Sequence, residues 1–119
     1  MTVLDEINAF VQKEGFFDFH VFSYSKGVLI VAGSLDLLYF HTLEIHFEGV
    51  FAVVGHFDWT VDTSKACVGM VPEPEAYEMN RKYLVEEGNM LFEFYGEYGH
   101  RTYVIAQKIS MKENTVKYY

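Results

Sequence analysis

The stretch Leu37–Trp59, LLYFHTLEIHFEGVFAVVGHFDW, carries two long alternating runs that meet at Glu48-Gly49. Alternation of apolar and polar residues is the period of a half-buried β-strand. A glycine between two such runs is a hairpin signal. The segment therefore predicts two antiparallel strands joined at Gly49. Their register decides what the histidines within them can do.

A two-residue loop, Glu48-Gly49, places His41 directly opposite His56 and Tyr39 opposite Asp58. Cβ atoms of such pairs lie about 5 Å apart. His41, His56 and Asp58 would then form a polar cluster suited to a metal or to acid–base work. A three-residue loop, Phe47-Glu48-Gly49, uses Gly49 as the left-handed residue. One face then carries Tyr39, His41, Leu43, Ile45, Phe51, Val53, Phe57 and Trp59, and is nearly all apolar. The other carries Phe40, Thr42, Glu44, His46, Val50, Ala52, Val54, His56 and Asp58. Burial of one coherent face is what fixes register, so the three-residue loop is favoured. It separates His46 from His56 by several residue pairs at about 3.3 Å each. No metal or other cofactor is expected on this reading.

Outward from this segment the chain reads as follows. Residues 3–14 are helical: Leu4, Ile7, Phe10 and Val11 form one stripe, Thr2 caps, Asp5 supports the dipole, and Gly15 supplies a left-handed stop. Residues 16–25 alternate as a strand, Ser25-Lys26-Gly27 is a turn, 28–32 is a short apolar strand closed by Gly33-Ser34, and 61–65 is loop-like. Residues 66–71 are a further short strand, and Pro72-Glu73-Pro74 breaks the pattern. Residues 75–88 read as a second helix stopped by Gly88. Residues 90–95 and 101–111 are strands, and the tail KENTVKYY frays. Short connections between strands mean antiparallel pairing. The expected fold is α+β: an antiparallel sheet of six to seven strands, an N-terminal helix and a second helix near 74–87, all in one domain over residues 1–119.

Seventeen acids against nine bases give a net charge of −8. That charge disfavours nucleic acid and anionic membranes, and it favours a basic partner. No run approaches the length of a membrane span, and the N-terminus lacks the basic start and apolar block of a signal peptide. The lone cysteine, Cys67, allows no internal disulfide, so a cytoplasmic location is expected. Its apolar surroundings fit a small buried residue rather than a reactive thiol.

Catalytic signals are sparse. Glu44, His46 and Glu48 alternate along one face, where a carboxylate can orient an imidazole as a base. No serine sits in a nucleophile elbow, and no glycine-rich phosphate loop occurs. Histidines within strands make stability depend on pH near neutrality. The expected function is that of a non-enzymatic acidic binding protein acting through protein–protein contact, such as an inhibitor or immunity-type protein for a basic effector. Its contact residues would be Tyr77 and Tyr83 among Glu73, Glu75 and Glu78, with Tyr98 at the tip of the GEYGHR turn. The alternative is a small-ligand-binding protein or enzyme with an aromatic pocket around His41, His56 and Asp58. A second copy of the chain is the other partner expected, seated on the face that carries Phe40, Val50, Ala52 and Val54.

Overall fold

A computed structural model describes residues 2–119. It opens with α1 (Val3–Gln12). Thr2 and Asp5 close a capping box: the Thr2 hydroxyl accepts from the Asp5 N–H at 3.2 Å, and the Asp5 carboxylate accepts from the Thr2 N–H at 3.3 Å. The stripe buries Ile7 and Val11. The left-handed stop expected at Gly15 is absent, because Lys13 already ends the helix in a right-handed conformation.

Seven antiparallel strands follow: β1 (Phe17–Ser25), β2 (Val28–Ser34), β3 (Phe40–Val54), β4 (Asp58–Val61), β5 (Val68–Met70), β6 (Met90–Tyr95) and β7 (Arg101–Lys117). They lie in the order β4-β1-β2-β3-β7-β6-β5. A second helix, α2 (Glu75–Lys82), joins β5 to β6 and stops six residues before Gly88. The fold is therefore α+β, as the alternation and the two helical stripes require.

The hairpin predicted at Glu48-Gly49 does not form. β3 runs straight through it for 15 residues. Both of its edges are taken: Val28–Gly33 of β2 pairs with Leu43–Glu48, and β7 pairs from Phe40 to Val54. Folding β3 back on itself would replace both ladders. Gly49 does adopt a left-handed φ of 62°, but the pairing with β7 only slips, between Val50 and Ala52. β2 begins opposite Glu48, and the Val50 N–H donates to the Gly27 carbonyl at 3.1 Å. Gly49 thus marks where β3 leaves β2 and continues against β7 alone. A left-handed glycine serves a bulge as readily as a turn. The tail expected to fray is likewise strand, since Val116 and Lys117 pair with His41 and Phe40.

One face of the sheet forms the main core. Phe17, Phe19, Leu43, Ile45, Phe47, Phe92 and Phe94 pack there with Ile7 and Val11 of α1. A Cβ at Gly33 would stand 2.4 Å from the Phe17 ring and 2.8 Å from the Phe19 ring. The missing side chain is the space those rings occupy. On the opposite face, Ala76 and Met79 of α2 pack on Leu91 and Ile105, covering only the β6–β7 portion. Over β1, β2 and the first half of β3 that face is left to side chains alone.

Candidate functional site

Strand register sets a row across the open face. Asp58 of β4 pairs with His20 of β1, His20 with Ala32 of β2, Ala32 with Glu44 of β3, and Glu44 with Lys112 of β7. Ala32 is the smallest of these side chains, so the space between His20 and Glu44 is open. His41 and Tyr118 close it. His41 is three residues from Glu44, and strict alternation would send the two to opposite faces. The ladder is irregular at that point. β7 uses three steps, Glu113 to Val116, where β3 uses two, Leu43 to His41. A bulge re-aims side chains, and here Asn114 and His41 both reach Glu44.

The result is an unbroken chain of hydrogen bonds. His20 Nε2 lies 2.9 Å from the Tyr118 hydroxyl, which lies 2.7 Å from His41 Nδ1. His41 Nε2 lies 2.8 Å from Glu44 Oε2, and His46 Nε2 lies 2.8 Å from Glu44 Oε1. The Asn114 amide donates to Glu44 Oε2 at 3.0 Å. Burial by itself pushes the Glu44 carboxyl up. The bonds from His41, His46 and Asn114, with the charge of His41, outweigh burial and hold it at about 2. Glu44 is therefore an acceptor only, and both histidines must present Nε2–H to it. When His41 is neutral its Nδ1 is bare and accepts from the Tyr118 O–H. The Tyr118 oxygen in turn accepts from the His20 Nε2–H. One carboxylate thus sets the direction of every bond. Phe22 shields the chain, stacking on Tyr118 at 5.8 Å and standing edge-on to His41 at 4.8 Å.

His20 is where the chain meets a cleft. The cleft has a volume of about 430 Å³ and is lined by Phe16, Asp18, His20, Leu35, Asp36, Leu37, Leu38, Asp58, Trp59 and Thr60. Three carboxylates face it and no lysine or arginine does. Phe16 and Leu38 are 52% and 80% exposed at its rim. The Thr60 hydroxyl donates to Asp18 at 2.6 Å and orients that carboxylate. Burial lowers the pKa of His20, His41 lowers it further, and Asp58 pulls the other way. A larger cleft of about 740 Å³ has mixed charge, with Asp62 and Glu97 set against Lys65 and Arg101.

The residues singled out from sequence are distributed differently. Glu73, Glu75, Glu78, Tyr77 and Tyr83 do lie together at α2, but partners within the chain already engage most of them. The Arg81 guanidinium sits 5.8 Å from the Tyr77 ring, and the Lys82 ammonium 5.3 Å from the Tyr83 ring. Glu75 lies 3.9 Å from Arg101, and Glu73 accepts from the Tyr77 N–H at 3.2 Å. Tyr98 stands apart in a turn at Glu97–Gly99 and lines the mixed-charge cleft. His41, His56 and Asp58 do not form the cluster expected of a two-residue hairpin loop, because there is no hairpin. His41 belongs to the Glu44 chain, the His56 ring lies 5.3 Å from that of His100, and Asp58 faces His20. Among the described residues no group of three or more His, Cys, Asp or Glu side chains is arranged to hold a metal ion. No helix among them is long and apolar enough to cross a membrane.

The Glu44-x-His46 alternation was the one legible part of the chain. His20, Asp18, Asp36, Asn114 and Tyr118 were not, since each joins through pairing between distant segments. Glu93 forms a second, separate knot: it is buried, accepts from Arg101 at 2.9 Å and from Tyr95 at 2.8 Å, and with burial it pushes Tyr95 up to about 12.

No family model, curated protein or solved structure matches this chain.

Proposed function

We propose that the protein binds a basic protein partner through the cleft at the β4–β1–β2 end of the sheet. The observation that carries this reading is the cleft lining: Asp18, Asp36 and Asp58 beside exposed Phe16, Leu35 and Leu38, with no lysine or arginine among them. Apolar anchors ringed by charge of one sign suit a patch of opposite sign. The net charge of −8 draws such a partner from a distance and disfavours nucleic acid. The α2 surface is the weaker contact, because Arg81, Lys82 and Arg101 already offset its acids and rings. A second copy of the chain fits the cleft poorly, since like charges would meet there. The lone, buried Cys67 is at home in a reducing cytoplasm. The role is non-enzymatic: an inhibitor or immunity-type protein would use such a surface.

A second reading is favoured by size. A cleft of about 430 Å³ falls in the range of small-ligand sites, and an organic cation would suit its carboxylates.

Calorimetry with a short lysine–leucine peptide tests the first reading. Asp36→Asn with Asp58→Asn should weaken binding by about tenfold, a loss of about 1.4 kcal/mol. Tyr77→Ala with Tyr83→Ala should leave it unchanged. Equal affinity for the cleft variant and the parent would end the proposal.

A further inference from the structure

The chain of hydrogen bonds and the cleft share one side chain, His20. Tyr118 has a single proton to give and two imidazoles beside its oxygen, at 2.9 Å and 2.7 Å. With both rings neutral every bond is satisfied, in the direction that Glu44 dictates. One added proton has two places. On His20 Nδ1 it leaves the chain as it is and puts a cation in the cleft, next to Asp58. On His41 it turns the chain around: His41 Nδ1–H donates to Tyr118, and Tyr118 donates to His20 Nε2, whose remaining hydrogen moves to Nδ1. Two added protons are poorly held. Both rings would then donate to one oxygen, its hydrogen would lose its acceptor, and two cations would flank one hydroxyl.

We propose that His20, Tyr118 and His41 act as one unit holding a single shared proton, and that a lysine or arginine side chain entering the cleft expels that proton from His20. This rests on the reading that the cleft receives a basic partner. The groups facing His20 are Asp58 from β4, Asp18 on its own strand, Ala32 from β2, His41 and Glu44 from β3, and Tyr118 beyond the end of β7. Lys112 faces Glu44 from β7, and Asp36 approaches across the cleft. Asp58 is the group that favours charge on His20. An incoming cation takes over Asp58 and Asp18 and repels the proton, which leaves for solvent. By linkage, affinity for the cation rises with pH through the titration of His20 and falls below it.

Two experiments test this. In the free protein, nitrogen NMR of the histidine rings should show His20 and His41 titrating in two shared steps, each visible at both rings. At high pH both should carry hydrogen on Nε2. Tyr118→Phe should reduce each ring to one step of its own. If that variant fails to fold, His20→Gln should leave His41 with a single step. Independent single steps in the parent would overturn the proposal. The second experiment is calorimetry with the lysine–leucine peptide in buffers of different ionisation heat. It should show proton release at pH values where His20 is charged, with affinity rising by up to about tenfold per pH unit, and His20→Gln should abolish that slope. Binding with no proton exchange would overturn the linkage and leave the cleft reading standing. Absence of binding would overturn both.

Discussion

Glu44 is the side chain on which the open face depends. It takes three hydrogen bonds while nearly buried, and its carboxyl is held at about 2 against an ordinary value of 4.5. A carboxyl depressed by folding adds stability that is complete above its unfolded pKa and is lost as pH falls through its folded one. Its contribution should therefore fade between about pH 4.5 and about pH 2. His20 acts in the same direction at higher pH. Its pKa is lowered by burial, so the unfolded chain binds the proton more readily and stability rises with pH through that range. Glu44→Gln should cost about 1–3 kcal/mol at pH 7, the range for a buried polar group deprived of its partner, and should flatten the acid limb of a urea-denaturation series. An unchanged acid limb would remove Glu44 from this role. Cys67 makes a simpler case. It is fully buried, and burial pushes its thiol up to about 12. A thiol reagent should label it only at the rate of unfolding; rapid labelling of the native protein would contradict its placement.

At the scale of elements, β3 shows both the reach and the limit of the sequence. Alternation on either side of Gly49 marked strand correctly, and Glu44 and His46 do share a face. The faces did not hold throughout: His41 joins Glu44, Phe51 and Val53 are exposed, and Val50 and Ala52 pack on opposite cores. Alternation says nothing about which strand sits beside which. The ladders to β2 and β7, which turn a presumed hairpin into one long strand, are made by residues 28–33 and 103–117. The helices were legible because Thr2-Asp5 and the Ile7–Val11 stripe are local features. The site was not, because Tyr118 lies 98 residues from His20 in sequence. Gly33 gives an element-scale prediction. Its position leaves no room for a side chain beneath Phe17 and Phe19. Gly33→Ala should destabilise by about 1–3 kcal/mol through overpacking, as read from the denaturation midpoint. A neutral substitution would mean that the two rings have another place to go.

For the whole molecule, the two faces divide the work. One is sealed by α1 over a bed of phenylalanine rings. The other is half covered by α2, and its uncovered half carries the polar chain and the acidic cleft. Lys108, Lys112 and Lys117 lie on β7, while no lysine or arginine lines the cleft. Attraction between exposed charges is screened by salt over about 8–10 Å at ordinary ionic strength. Binding of a basic partner should therefore weaken as salt is added, chiefly through slower association. Affinity independent of salt would point to the apolar rim alone.

The most direct measurement is backbone-amide NMR mapping of the lysine–leucine peptide on the folded protein. The account predicts that shifted signals gather at residues 16–20, 35–38 and 58–60, with the α2 signals unmoved. Signals that move at Tyr77, Glu78 and Tyr83 while the cleft stays silent would contradict it.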